Sequence, residues 1–181
     1  MAFDSFLVFP KASASGITIT GETQDPTPAH KSAIEIQQFS LPLENAVTIG
    51  SATAGAGAGK AKFGVFSIKK LVDSASPSLY RAAASGAHFS DAQLFIRKAG
   101  AVAGPTGSAD YLIYTLKLVF ITRVEWSGST GDEAVSEAVD FVFGAMELSY
   151  AAADSTGKLL APKTAAWDQV TNAPDITPPG A

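Results

Sequence analysis

The sequence predicts a mainly β fold, one domain with a single short flanking α-helix. Three observations carry that expectation. Segments rich in β-branched and aromatic residues recur along most of the chain, clusters of Gly, Pro, Ser and Asp separate them, and only one stretch carries both a start and a stop signal for a helix. At 181 residues the chain is long enough to bury one sizeable core and short for two.

Strands are expected near Phe3 to Phe9, Ala33 to Ser40, Ala61 to Lys70, Phe89 to Arg97, Tyr111 to Glu125 and Ser136 to Tyr150, with a shorter one from Ile17 to Thr20. Between Asp91 and Lys98 the pattern alternates. Ala92, Leu94 and Ile96 share one face while Asp91, Gln93, Phe95 and Arg97 share the other, which predicts a strand with one dry side and one mostly wet side. From Tyr111 to Ile121 both faces are apolar, Leu112, Tyr114, Leu116, Leu118 and Phe120 opposing Tyr111, Ile113, Val119 and Ile121. The last long segment sets Val139, Phe141 and Phe143 against Val142, Met146, Leu148 and Tyr150. Such a strand needs covering twice, once by its own barrel or sandwich and once by a second sheet, a helix or another subunit. A β-bulge near Gly144 would also exchange the two faces.

The helix is expected over Pro77 to Ser85. Ser76 stands where an N-cap belongs, Pro77 takes the first helical position where its missing N–H costs nothing, and Gly86 supplies a left-handed stop. Leu79 and Ala83 give it a narrow apolar stripe. Gly50 to Gly59 is built of Gly, Ala, Ser and Thr alone, so it is expected to be flexible, and Gly100 to Ala109 repeats the theme. After Tyr150 the strand pattern is lost. Residues 151–181 read as an extended tail with Pro162, Pro174, Pro178 and Pro179 and no packed structure of its own, apart from Trp167 as a docking aromatic.

Composition narrows the function classes. Apolar residues at 46% against 17% charged ones describe a folded chain. The net charge is −4 and no basic run is longer than Lys69-Lys70, which argues against nucleic acid or an anionic membrane as partner. With no cysteine, disulfides, thiolate metal sites and Cys nucleophiles are excluded. The N-terminus has no basic n-region and no run approaches the roughly 18 apolar residues of a membrane span, so a soluble protein made without an export signal is expected.

No constellation for catalysis stands out, and neither a cofactor nor a metal is expected. Gly55-Ala56-Gly57-Ala58-Gly59-Lys60 mimics a phosphate loop but lacks its first Gly, its Ser or Thr after the Lys, and a following helix, so a Gly-rich linker is the better reading. His30 and His88 have no partner ligands at metal spacing. Asp132, Glu133, Glu137 and Asp140 fit no calcium loop and read as a solvated hairpin connection. Ser127-Gly128-Ser129 is turn sequence and not a nucleophile elbow.

The run Phe66-Ser67-Ile68-Lys69-Lys70-Leu71-Val72-Asp73, then Ala75-Ser76-Pro77, Leu79, Ala83, Ser85-Gly86 and His88, resembles the haemolysin-coregulated protein (Hcp) family. The similarity continues through Ala92, Leu94 and Arg97-Lys98-Ala99-Gly100. Upstream it includes Met1-Ala2-Phe3-Asp4, Phe6-Leu7, Gly21-Glu22-Thr23, His30-Lys31, Ile34-Glu35-Ile36 and Phe39-Ser40. It covers most of residues 1–150. Where many members carry Trp after the Phe-Ser pair, this chain has Leu41.

The resemblance implies a small β-barrel of two antiparallel sheets with one flanking helix over residues 1–150, followed by the tail. It implies a structural, non-enzymatic subunit of the type VI secretion inner tube, forming hexameric rings that stack and are expelled by a contractile sheath, and holding effector proteins in the ring lumen. Sheath, spike and baseplate proteins are the implied further partners. The protein would be cytoplasmic during assembly and secreted afterwards without a signal peptide. The connection Leu43 to Gly59 would reach neighbouring subunits, with Leu43, Val47 and Ile49 as its apolar oligomer contacts. A phage-tail tube protein or another contractile injection machine, and a monomeric β-sandwich binding module, are the alternative readings.

Overall fold

The computed structural model describes residues 3–48, 57–98 and 109–178. Ten strands and one α-helix follow in the order β1 (Phe3–Val8), β2 (Ile34–Glu35), β3 (Gln38–Ser40), β4 (Leu43–Thr48), β5 (Gly57–Phe63), β6 (Phe66–Leu71), α1 (Ser76–Ser85), β7 (His88–Lys98), β8 (Asp110–Ser127), β9 (Ser136–Tyr150) and β10 (Lys163–Asp168), with a 3-10 turn at Pro28–His30. Every strand pairing is antiparallel. Eight strands form one sheet in the order β2-β1-β7-β8-β9-β6-β3, with β10 added to β9, while β4 and β5 pair only with each other among the described residues.

The sheet closes because β2 and β3 belong to one stretch of chain. Ile34 and Glu35 pair with β1 at one end of the strand order, and Gln38 to Ser40 pair with β6 at the other. Between them Ile36 donates to the Ser5 carbonyl and Gln37 to the Lys69 carbonyl, both at 2.9 Å. One core fills the interior, including Leu7, Ile34, Phe66, Ile68, Phe89, Leu94, Leu116, Val139 and Phe141. Leu79 and Ala82 of α1 belong to the same core. The small β-barrel with a flanking helix is therefore observed, with the second sheet reduced to the β4–β5 ribbon.

The structure corrects several expectations. The predicted strand Ala33 to Ser40 is two short strands, and Ala61 to Lys70 divides at Gly64 into β5 and β6. Residues 17–20 form no strand, although Ile17 and Ile19 still point into the core, each 3% exposed. On β7 the side expected to be wet is buried at Phe95, which packs with Phe6 and Ala33 in a second small cluster, and at Asp91, which pairs with Lys11 and Lys117. The two-faced pattern of β8 resolves at Leu118, which takes φ 53°, an uncommon conformation for a bulky residue. Leu116 precedes this kink and Val119 follows it, and both are fully buried. Gly144 lies opposite, where an added Cβ would crowd Leu118 at 3.3 Å.

The helix starts one residue before the expected position, and Ser76 does not cap it. Asp73 Oδ1 instead accepts from the Ala75 N–H at 2.9 Å, while Ser76 turns its hydroxyl into the protein. Gly86 ends the helix at φ 66°, as expected. The chain after Tyr150 is more ordered than the sequence suggested. Residues Lys163 to Asp168 pair with Tyr150 to Ala145, Trp167 packs against the core, and Asp168 is fully buried. β10 takes the part of the β9 edge beyond the end of β6, so its backbone groups find partners without a strong alternating pattern.

Gly21 illustrates how tightly the crossing segment lies on the barrel. Its N–H donates to the Ser32 carbonyl at 2.8 Å, and a Cβ there would stand 2.1 Å from the Ala33 carbonyl oxygen. Backbone cannot yield as a flexible side chain does, so Gly21→Ala is expected to lower stability by about 3 kcal/mol, at the upper end of overpacking costs. Urea denaturation of the two proteins checks this.

Candidate assembly surface

The ribbon is the element that the barrel does not use. β4 and β5 are joined from Leu43↔Phe63 to Thr48↔Gly57, with a shift in register between Asn45 and Val47. A two-stranded ribbon standing alone is marginal in water, so it requires anchoring at its base or covering along its length. The base is anchored. Phe63 is 7% exposed and packs against Phe143 with ring centres 5.0 Å apart, and the Gly64 N–H donates to the Pro42 carbonyl at 2.9 Å. Gln169, just past β10, accepts from the Phe63 N–H at 3.2 Å and donates to the Phe143 carbonyl. The chain after Tyr150 thus clamps the ribbon to β9.

Along its length the ribbon offers strand edges that pair with nothing among the described residues. Leu43 is 60% exposed at the start of β4, and Val47 lies in β4 opposite Ala58. Ile49 lies outside the described residues. Of the stretch Gly50 to Gly59 expected to be flexible, Gly57 to Gly59 are strand, and residues 50–56 lie outside the described residues. Unpaired edges together with an exposed leucine are the features that strand-to-strand association uses.

Two buried ionic networks stiffen the barrel on which the ribbon is mounted. In the first, Lys70 of β6 and Glu137 of β9 are directly opposite neighbours, 1% and 0% exposed, with Lys70 Nζ 2.7 Å from Glu137 Oε2. Lys70 also meets Asp73 Oδ1 at 2.7 Å, the Leu71 carbonyl at 2.8 Å and Ser76 Oγ at 3.0 Å. Glu137 accepts from Ser76 Oγ at 2.7 Å and from Trp126 Nε1 at 2.8 Å. One carboxylate therefore ties together β6, β8, β9 and the first turn of α1. Glu137, expected in a solvated acidic patch, is instead wholly interior.

In the second network, His30 is fully buried between Asp25 and Asp110, with Nδ1 3.0 Å from Asp25 Oδ1 and Nε2 3.0 Å from Asp110 Oδ2. Its ring stacks on Phe6 at 4.4 Å, and Arg97 lies over the Phe6 ring, 5.2 Å from its centre, and 2.6 Å from Asp25 Oδ2. Burial pushes the His30 pKa down, but hydrogen bonds and charge from Asp110 and Asp25 outweigh it and hold the pKa above its ordinary value. Burial likewise pushes Asp25 up, and the hydrogen bonds from Arg97, Thr27 and His30 reverse that to a value well below the carboxylate range.

Both shifts bear on stability. A raised folded pKa means that the contribution of His30 is complete below about pH 6.5 and is lost as pH rises through the folded value. The depressed Asp25 pKa works oppositely, its contribution being present above the ordinary aspartate value and lost as pH falls. The urea midpoint is expected to decline as pH rises from about 6.5 through the folded value, and His30→Gln is expected to flatten that decline. A midpoint independent of pH from about pH 6 upward in the unaltered chain would contradict this.

No group of His, Cys, Asp or Glu among the described residues is arranged to hold a metal ion, and none of their helices is long and apolar enough to cross a membrane. The phosphate-loop mimic enters strand β5 at Gly57, not a helix.

Comparison with known proteins places this architecture. The family model described as "Type VI secretion system effector, Hcp" matches residues 9–150. Protein hcp1 of Pseudomonas aeruginosa is 37% identical over 84 residues, 46% of this chain and 49% of that protein, so the chain matches about half the length of this relative. A solved type six secretion system protein superposes with a TM-score of 0.81 at 28% identity, over 95% of this chain and 99% of the other. Hcp1 from Salmonella typhimurium gives 0.70 at 29% identity, over 95% and 98%.

Proposed function

Because the chain belongs to the Hcp family of type VI secretion proteins, we propose that it is a structural subunit of the secretion tube, in which six copies close into a ring and rings stack. The observation that carries this reading is the ribbon β4–β5, anchored at its base by Phe63 and Gln169, whose outer edges pair with nothing among the described residues. A neighbouring copy supplies the missing cover, and Leu43, Val47 and Ile49 are its proposed apolar contacts. The cost of ordering the ribbon is offset when those contacts form.

The barrel suits a part that is pushed as a unit. Its strand order closes on itself, and two buried ionic networks bind its elements together. Effector proteins held in the lumen, contact with sheath, spike and baseplate, cytoplasmic assembly and release without a signal peptide belong to the same proposal. The test is replacement of the tube gene in a bacterium whose type VI machine depends on it. Restored release of the chain into the medium, dependent on an intact sheath, supports the proposal, and a soluble chain that is never released opposes it.

A further inference from the structure

An exposed apolar patch lies at the far end of the β8–β9 hairpin from the β10 pairing. Val72, Tyr80, Trp126 and Val135 are 45 to 57% exposed. The Tyr80 and Trp126 rings are 6.0 Å apart, and the Val72 N–H donates to the Val135 carbonyl at 3.0 Å. Beside them opens a cavity of about 590 Å³ lined by Trp126, the turn residues and the carboxylates of Asp132 and Glu133. Single exposed hydrophobics need no explanation, but a contiguous set with two aromatics does.

The patch is also held rigid. Trp126 is about half exposed, with its Nε1 on Glu137, the buried carboxylate that Lys70 and Ser76 fix in place. An exposed indole oriented by an interior ion pair loses little freedom when it is covered, which favours binding. Asp132 Oδ2 accepts from the Ser129 N–H at 2.7 Å in the hairpin turn, and neither it nor Glu133 enters an ion pair among the described residues, so the rim carries net negative charge. Arg81 follows Tyr80 on α1 but leaves the helix about 100° further round.

We propose that this patch docks a basic, apolar-bearing segment of a different protein, its Lys or Arg groups meeting Asp132, Glu133 and the Tyr80 and Trp126 ring faces while its apolar side chains cover Val72 and Val135. Acid-rimmed aromatic surfaces attract cations both by charge and through the ring quadrupole. A second copy of this chain is a poor match, because its longest basic run is Lys69-Lys70 and Lys70 is buried. The inference goes beyond the tube reading and does not depend on the ribbon.

The test uses the full chain with Trp167→Phe, so that Trp126 is the sole indole, titrated with a short Lys-Leu repeat peptide and with a Glu-Leu repeat of the same length. Saturable change in Trp126 emission with the basic peptide alone is expected. Tyr80→Ala is expected to weaken binding about tenfold, as is the pair Asp132→Asn with Glu133→Gln, which also removes most of the salt dependence. Equal binding of the acidic peptide, or unchanged affinity in both variants, overturns the proposal. So does loss of self-assembly in Tyr80→Ala, which would make a second copy the occupant.

Discussion

Lys70→Met is expected to destabilise the chain by about 3 to 5 kcal/mol, because it leaves Glu137 buried without its cation. For a domain of this length that is a fall in melting temperature on the order of 10 °C. The size follows from the asymmetry of buried ion pairs, whose net contribution is small while the loss of one partner is costly. The double variant Lys70→Met with Glu137→Gln is therefore expected to cost clearly less than Lys70→Met alone, since the neutral amide keeps an acceptor for Trp126 or Ser76. Calorimetry on the four proteins measures the coupling. A Lys70→Met variant within 1 kcal/mol of the parent, or a double variant worse than the sum, would show that the network is not satisfied in the way described.

Leu43→Asp combined with Val47→Asp is expected to abolish assembly while leaving the barrel folded. Leu43 already faces solvent in the single chain, so its replacement costs the monomer little. In the proposed ring both carboxylates would be desolvated against a neighbour, and two unpaired buried charges exceed what a contact between copies can tolerate. The expected result is a monodisperse monomer with unchanged far-ultraviolet circular dichroism and an unchanged urea midpoint. If the double variant assembles as the parent does, the ribbon is not the contact.

Local signals are legible in the sequence. The strand Ser136–Tyr150 has the expected bounds, and the helix stops at Gly86 because a left-handed residue leaves a mark in sequence. What escaped depends on residues far apart in the chain. Lys70 and Glu137 are 67 positions apart, and His30 and Asp110 are 80 apart, so nothing local distinguishes these buried charges from solvated ones. Asp91 and Phe95 fell on a face that alternation marks as wet, and they are covered by chain from elsewhere. β10 carries only Trp167 as a large apolar residue, and its pairing follows from the free half of the β9 edge, not from propensity. The ribbon is hidden in the sequence because Gly and Ala are poor strand formers, and Gly57–Phe63 becomes a strand only by pairing with Leu43–Thr48. The assembly reading owed more to the ordered family motifs around the Ala75-Ser76-Pro77 turn than to periodicity.

The most direct test of the account is the mass and shape of the purified chain at micromolar concentration, by native mass spectrometry and averaged negative-stain images. The account predicts a mass of six chains and closed rings of sixfold symmetry with a central opening. A monomer at every concentration tested, with no ring in the images, would contradict it.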